Sequence, residues 1–207
     1  MREALLALVF LLPLAGYTQT APDYSGEGFE LQSSEDGVFA YTRSEKNGDM
    51  TVRVTATLRS SAARILEILD NVPAYKQWIH RCDGAYIHTS RTKDDYIYVS
   101  GVNMPFPFSD REVVARVVNR VNAKTGALYR TTTSLPNEIP PTKGRERLAR
   151  YEAIWTVDPT ATPGTVRMTC TVTTDAGGGL PTWLREEVMT GGPVKTFTNL
   201  RTRALAR

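Results

Sequence analysis

Residues 165–200, TVRMTCTVTTDAGGGLPTWLREEVMTGGPVKTFTNL, contain a strand, a glycine-rich turn and a helix in direct succession. In the strand, apolar side chains from Val166 to Val172 alternate with arginine and threonine, which is typical of a strand with one buried face. Pro181 suits the first position of the helix, because a proline there gives up no helical hydrogen bond. Apolar residues of the helix recur at helical spacing, at Leu184, Val188, Met189, Val194, Phe197 and Leu200. This order predicts a sheet that packs its apolar face against a C-terminal helix.

The chain upstream of this stretch is rich in extended segments, most of which alternate in the same way. One helix interrupts them, capped by Ser60 or Ser61 and ended by Pro73, and a short helical turn over Ala74–Ile79 follows it. We therefore expect an α+β fold in which a curved antiparallel sheet wraps around a long C-terminal helix and leaves an internal hydrophobic cavity. The predicted strands are Gly37–Arg43, Met50–Leu58, Ala85–Ser90, Asp95–Asn103, Arg111–Asn122, Ala127–Leu135, Arg145–Asp158 and Thr165–Thr174.

The composition excludes several classes of protein. The 207 residues carry 25 basic and 22 acidic side chains, a net charge of +3, which is too mild a balance for a nucleic-acid-binding protein. The mean hydropathy of −0.29 excludes a membrane protein with many spans. Two cysteines and two histidines are too few for a disulfide scaffold or a His/Cys metal cluster, so we expect no metal and no cofactor. For Cys82 and Cys170, two buried thiols are favoured over a disulfide bridge, which stays the alternative.

The first residues are typical of an export signal. Arg2 precedes the apolar run from Ala4 to Gly16, which is shorter than the ~20 residues of a bilayer span. Tyr17 stands where a lipidated cysteine would have to be, so we expect no lipid anchor. We expect residues 1–21 to be a cleaved signal peptide and residues 22–207 to form one domain. The mature protein is then exported, to the bacterial periplasm.

Three segments of the chain carry a family resemblance. Residues 37–79 hold a hairpin and a first helix that ends in a tryptophan. Residues 103–114, NMPFPFSDREVV, place proline, an aromatic residue and proline ahead of an Arg-Glu pair and a strand. Residues 175–201 contain the glycine-rich turn and a Pro-x-Trp-Leu start of the last helix. In this order they resemble the steroidogenic-acute-regulatory-related lipid transfer family, the START domain, in a bacterial exported form.

The resemblance covers about residues 24–205 of the chain. It implies a helix-grip fold with a tunnel for one lipid-sized ligand, closed by a loop and by the C-terminal helix. The ligand expected from it is a sterol, a phospholipid or a fatty-acid-like molecule. Sterol-binding members carry a basic residue where this chain has Val117, which argues against their sterol anchor but not against sterol binding itself.

The loop Met104–Phe108 holds three large apolar side chains and is stiffened by prolines. We expect it to pack against the C-terminal helix or to contact a membrane, with plain packing at a strand junction as the alternative. Arg111 follows on the inner face of a strand, where a charge needs a partner. A salt bridge to Asp110 or Glu112, or a clamp on a loop carbonyl, is favoured there over the anchoring of a ligand head group.

We place the ligand contacts in this loop, on the inner faces of strands and on the last helix. No catalytic residue is expected among them. The predicted ligand-binding residues are Met104, Phe106, Phe108, Arg111, Val113, Tyr129, Tyr151, Trp155, Met168, Leu184, Val188 and Phe197.

Gly191, Gly192 and Pro193 interrupt the last helix. Proline removes a backbone hydrogen bond and glycine loosens the turn, so we expect a kink or a break there. Our hypothesis is a hinge that lets part of the helix swing for ligand uptake. A kink that is packed in place is the structural alternative.

An enzyme is the rival interpretation, because polyketide cyclases and aromatases have similar grip folds. Catalysis would need a buried acid–base set, and we expect His80 and His88 at the surface or as caps. Tyr98, Tyr129 and Tyr151 could donate protons, although tyrosines in strands usually serve packing. A protein-interaction module would instead have a filled core. The sequence favours a monomeric, non-enzymatic lipid carrier of the bacterial envelope, with transient membrane contact and no nucleic-acid binding.

Overall fold

One open sheet of ten strands dominates the part of the chain that the structure, a computed structural model, describes, namely residues 19–175 and 180–206. Residues 1–18 of the predicted signal peptide and the three consecutive glycines lie outside these residues. The strands are β1 Glu30–Glu35, β2 Val38–Ser44, β3 Met50–Arg59, β4 Cys82–Thr92, β5 Asp95–Val102, β6 Asp110–Val121, β7 Leu128–Ser134, β8 Arg145–Arg147, β9 Tyr151–Pro159 and β10 Thr165–Thr174.

The strand order is β1-β2-β3-β10-β9-β7-β6-β5-β4, and every neighbouring pair in it is antiparallel. The centre of the sheet joins an early strand to a late one, since β3 pairs with β10 along their whole length, from Met50 opposite Thr174 to Arg59 opposite Thr165. The sheet is curved and carries the C-terminal helix, so the predicted α+β helix-grip architecture is confirmed.

Two details of the predicted strand set are wrong. Arg145–Asp158 is not one strand: β8 pairs in parallel with the start of β6, and β9 begins only at Tyr151. At the end of β8, the Arg147 guanidinium donates to the carbonyl of Pro136 in the preceding loop at 2.7 Å and to the carboxylate of Glu112 on β6 at 3.1 Å, which holds β8 against β6.

Strand β1 was not predicted. Its six residues are exposed or half-buried, so no apolar alternation marks it in the sequence. It pairs with β2 at one edge of the sheet. The sequence signal for a strand is the burial of one face, and an edge strand without a buried face gives none.

The first helix, α1, covers Ala62–Asp70. Ser61 caps it, as expected, with its Oγ accepting a hydrogen bond from the Arg64 backbone N–H at 3.1 Å. Ile65, Ile68 and Leu69 form its buried face. A 3₁₀ turn over Val72–Gln77 then leads the chain into β4, and another short one covers Ser25–Glu27.

The C-terminal helix has three parts: α2 Thr182–Glu186, a π-helical turn Glu187–Gly191, and α3 Gly192–Leu205. The disturbance expected at Gly191–Pro193 takes the form of this π turn rather than a break. The Gly192 N–H donates to the Glu187 carbonyl, five residues back, which continues the helix through the turn despite the missing N–H of Pro193.

The core lies between the inner face of the sheet and the two helices. Val54, Leu58 and Met168 of the central strands share it with Phe197 and Leu200 of α3. Burial of such side chains stabilises the fold by roughly 1.5–3 kcal/mol each. Cys82 and Cys170 are both buried free thiols, as favoured from the sequence. No helix in the described ranges has the length and apolar character needed to cross a membrane.

Candidate ligand-binding cavity

A cavity of about 260 Å³ lies between the sheet and the C-terminal helix. The sheet lines it with Val52, Val54, Tyr98, Ser100, Val102, Arg111, Val113, Tyr151, Trp155, Cys170, Val172 and Thr174. The C-terminal segment contributes Leu180, Glu187, Val188, Met189, Gly192, Pro193, Thr196 and Phe197. Tyr75, Ile79, His80, Arg81, Met104 and Leu148 complete the lining. Most of these side chains are apolar, so the cavity suits a hydrophobic molecule.

Side chains alternate between the two faces of each strand, and this alternation determines which of them line the cavity. In β5, Tyr98, Ser100 and Val102 face the cavity. The residues between them, such as Ile97 and Val99, face away from it and pack with Val114 of β6 in a separate cluster. On the helix side, the Phe197 ring stacks on the Trp155 ring, with centroids 5.6 Å apart. The two rings join α3 to the sheet at the wall of the cavity.

The deep polar groups of the cavity are neutral. Burial raises the pKa of the Tyr98 and Tyr151 hydroxyls and of the Cys170 thiol well above the ordinary values for these groups. The Tyr75 ring meets the Tyr98 ring edge-on, at 5.8 Å between centroids. This end of the cavity therefore offers hydroxyl and thiol groups but no charge.

Four charged or titratable residues, His80, Arg81, Glu187 and Lys195, form a polar rim where the cavity meets solvent. Glu187 is its centre: its Oε1 lies 2.9 Å from His80 Nε2, 3.0 Å from Lys195 Nζ and 3.9 Å from Arg81 Nε. The hydrogen bond from Lys195, supported by His80 and opposed by partial burial, lowers the pKa of Glu187. Glu187 is thus a carboxylate at neutral pH.

Arg111 is a second cation of the lining and, unlike Arg81, it is buried. Its Nη1 donates to the Ser109 carbonyl at 3.1 Å and pairs with the carboxylate of Glu146. The favoured interpretation, a guanidinium that clamps a loop carbonyl, is confirmed, but the acidic partner is Glu146 rather than Asp110 or Glu112. Those two are occupied elsewhere, Asp110 by the Met104 N–H and Glu112 by Arg147.

Solved structures share this architecture. The STAR-related lipid transfer protein of Xanthomonas axonopodis superposes with a TM-score of 0.75 at 24% identity, covering 86% of this chain and 98% of its own. The chain has the START helix-grip fold. Human STARD10 gives 0.74 at 15% identity, covering 90% of this chain and 81% of its own, and human StAR-related lipid transfer protein 5 gives 0.71 at 16% identity, covering 86% of each.

In sequence, the chain is 29% identical over 182 residues to an uncharacterized protein of Pseudomonas aeruginosa. This match covers 87% of the chain and 89% of the relative. No protein-family model matches the chain. The START fold therefore rests on the structural comparisons and on the motifs quoted above.

Seven of the twelve predicted ligand-binding residues line the cavity of this START fold. They come from the loop, from the two strands β6 and β9 and from the C-terminal helix, which the fold brings together around one space. They are Met104, Arg111, Val113, Tyr151, Trp155, Val188 and Phe197. Ligand contact at these positions stays a prediction.

The structure places the other five outside the cavity. The Phe106 side chain is 96% exposed at the tip of its loop, and Phe108 of the same loop is half-buried without facing the cavity. Tyr129 points to the outer face of the sheet, because Leu128 and Arg130 on either side of it are the buried positions of β7. Met168 and Leu184 are fully buried and take part in packing.

Sequence analysis missed the polar rim of the cavity. We expected His80 at the surface or as a cap, yet it lines the cavity and its backbone N–H bonds to Thr196 Oγ1 at 3.1 Å. Arg81 and Glu187 were not singled out at all. They lie in a turn and in the π-helical segment, where no simple periodicity reports which way a side chain points.

A buried charge next to the cavity was missed as well. The Arg130 guanidinium of β7 donates to Asp70 Oδ1 at 2.7 Å, to the Leu69 carbonyl at 3.1 Å and to the hydroxyls of Tyr75 and Tyr96 at 3.0 and 2.9 Å. It does not line the cavity, but it fixes the Tyr75 ring that does. Among the described residues, no three His, Cys, Asp or Glu side chains are grouped to hold a metal ion.

Proposed function

We propose that this protein binds one hydrophobic, lipid-sized molecule in the cavity and carries it without changing it chemically. The observation that carries the proposal is the apolar cavity of about 260 Å³ between the sheet and the C-terminal helix. Its volume approaches the lower end of the roughly 300–1,000 Å³ typical of small-molecule sites. The names of the START-fold neighbours, which are lipid transfer proteins, support the same function.

The charges around the cavity favour a carrier over a catalyst. A general acid–base catalyst needs titratable groups that are free to meet a substrate. Here His80 Nε2 is engaged by Glu187, and Glu187 is also held by Lys195. The deep tyrosine and cysteine groups keep their protons, since burial raises their pKa values. The lining supports binding by shape and by apolar contact.

We also propose that the carrier is exported to the bacterial envelope, acts as a monomer without nucleic acid, and touches membranes transiently. The charged start and short apolar run of residues 2–16 support export. The side chain of Phe106, which is 96% exposed on a proline-stiffened loop, supports membrane contact. Moving a large apolar side chain from water into a bilayer lowers the free energy of the system.

Native mass spectrometry of residues 22–207, followed by organic extraction, tests the proposal directly. We expect a stoichiometric lipid that exchanges with liposomes and is recovered chemically unchanged. A protein that purifies empty and takes up neither sterols, phospholipids nor fatty acids would contradict a carrier function. Recovery of a converted product would instead show an enzyme.

A pair of variants ties binding to this cavity. Val188→Trp adds a large ring to a lining position of the C-terminal helix, and Thr182→Trp adds the same ring to an exposed position of α2. We expect the first variant to lower lipid affinity at least about tenfold and the second to leave it unchanged. Equal affinities, with both variants folded by circular dichroism, would place the ligand elsewhere.

A further inference from the structure

Arg81 has an unusual backbone conformation at the rim of the cavity. Its φ is +60°, in the left-handed region that costs a non-glycine residue roughly 1–2 kcal/mol. A hydrogen bond stabilises this backbone conformation, because the Asn103 N–H donates to the Arg81 carbonyl at 2.8 Å. This turn, immediately before β4, directs the Arg81 side chain to the cavity instead of along the strand.

The guanidinium of Arg81 has no hydrogen-bond partner in the part of the chain that the structure describes. Its Nε is buried and unsatisfied, and the nearest carboxylate oxygen, Glu187 Oε1, is 3.9 Å away. The buried arginines differ, since Arg111 binds a carboxylate and a carbonyl, and Arg130 binds five oxygen atoms. Arg147 also has an unsatisfied Nε, but its other two nitrogens donate to three carbonyls and to a carboxylate. An unmet buried donor costs about 1–3 kcal/mol, more when it is charged.

Glu187 offsets this charge only in part. Its Oε1 is already within hydrogen-bond distance of His80 Nε2 and Lys195 Nζ. With Arg81 and Lys195 positive and Glu187 negative, the rim carries an excess positive charge even when His80 is neutral. Arg81 lies farther from this carboxylate than Lys195 does, and its fork of N–H donors matches the oxygen atoms of a carboxylate or a phosphate.

We infer that Arg81 binds the anionic head group of the ligand, a carboxylate or a phosphate, while the apolar part of the ligand fills the cavity. This inference rests on the proposed function, and it adds a ligand class: an acidic amphiphile rather than a neutral lipid. The head group then lies at the rim, between the start of β4 and the π turn, and the tail points to the neutral end near Tyr98 and Cys170.

Three probes with the same alkyl chain test the inference: dodecanoic acid, dodecyl phosphate and 1-dodecanol. Their affinities for residues 22–207 are measured by native mass spectrometry and by the change in tryptophan fluorescence, to which Trp155 contributes from the wall of the cavity. We expect one or both anions to bind at least about tenfold more tightly than the alcohol. The anion with the larger preference identifies whether a carboxylate or a phosphate is the better head group.

Variants show whether Arg81 causes the preference. We expect Arg81→Gln to abolish it while the affinity for dodecanol changes less than about twofold, and Arg81→Lys to keep part of it. Lys76→Gln is the matched control, because Lys76 is an exposed cation of the nearby 3₁₀ turn and does not line the cavity. It should keep most of the preference.

Equal affinities of wild type for all three probes would overturn the inference and leave the proposed function intact. A preference for anions that survives in Arg81→Gln would also overturn it. If none of the three probes and no extracted lipid binds, it is the proposed function that fails.

Discussion

Arg130 carries a positive charge into the core, where its residue is only 2% exposed. The charge is tolerated because Asp70, Asn119, two tyrosine hydroxyls and the Leu69 carbonyl surround it. Asp70 Oδ1 alone accepts from Arg130, from Tyr96 and from Asn119, at 2.7 to 3.0 Å. This carboxylate thus connects the end of α1 to β5, β6 and β7.

Asp70→Ala is expected to destabilise the protein strongly, because it leaves a buried guanidinium and two further donors without their acceptor. Loss of one partner of a fully buried ion pair costs about 3–5 kcal/mol. The Asp70 side chain is 29% exposed, so we expect about 2–3 kcal/mol here, a decrease of roughly 4–12 °C in Tm. Thermal and urea denaturation measure it.

The control is Glu67→Ala, which removes the partner of Arg64 from an exposed ion pair on the same helix, α1. A much smaller decrease in Tm is expected there. If the two variants lose the same stability, the Arg130 cluster contributes no more than a surface pair.

The sequence could show that Arg130 points inward but not what it meets. Leu128, Arg130 and Thr132 alternate with exposed residues, which places the arginine on the inner face of β7. Its partners are residues 69, 70, 75, 96 and 119, which only the folded topology brings to one point. The same holds for Arg81, whose direction depends on a left-handed turn that no local pattern announces.

At the scale of elements, prediction succeeded where one face is buried over many residues. The pattern in β3, β10 and the C-terminal helix is such a case, and the apolar faces of all three pack in one core. Prediction failed at β1, which has no buried face. It also failed over Arg145–Asp158, an apparently extended segment whose first part pairs with β6 and whose second part pairs with β7. Local extension does not specify the partner of a strand.

The π turn of the C-terminal helix is the element that we expect to control ligand exchange. A Cβ on Gly192 would lie 3.1 Å from the Glu187 carbonyl oxygen and 3.2 Å from His80 Cδ2, whereas one on Gly191 would displace only the end of the Glu187 side chain. In the double variant Gly191→Ala/Gly192→Ala the turn is stiffer and more tightly packed against His80. We expect slower exchange of bound lipid with liposomes, measured by fluorescence dequenching.

Gly26→Ala is the matched control for the π turn, because a Cβ at Gly26 meets nothing within 4 Å and its backbone is unstrained. It should leave the exchange rate unchanged. An unchanged rate in the double variant as well would contradict the hypothesis that this turn moves during ligand exchange.

At the scale of the whole molecule, the START fold and its cavity follow from the sequence because they depend on average burial along whole strands and one helix. The walls contributed by Val113, Tyr151, Trp155 and Phe197 were predictable for that reason. The rim was not, because it combines a turn, a π segment and charges far apart in the chain. The rim is also the part of the cavity that discriminates between ligand head groups, because the apolar walls bind different apolar tails with similar affinity.

A carrier has to release its cargo at a membrane, and the loop tip at Phe106 is the surface feature best suited to contact one. Full burial of a phenylalanine side chain contributes roughly 1.5–3 kcal/mol, so partial insertion changes the lifetime of a membrane encounter several-fold. We expect Phe106→Ser to slow lipid transfer between vesicles of phosphatidylethanolamine and phosphatidylglycerol about three- to tenfold. Because Phe106 does not line the cavity, the affinity for lipid should stay the same.

Ile154→Ser is the control for this variant, since it removes another exposed apolar side chain, 42% accessible, from a strand of the sheet instead of the loop. Its transfer rate should match that of the wild type. Equal slowing in both variants would mean that general surface hydrophobicity, rather than the loop, governs transfer. A lower lipid occupancy in Phe106→Ser would mean that the loop acts on binding instead of on membrane contact, because a pure docking residue alters the rate at which cargo leaves but not the equilibrium between empty and loaded protein in solution.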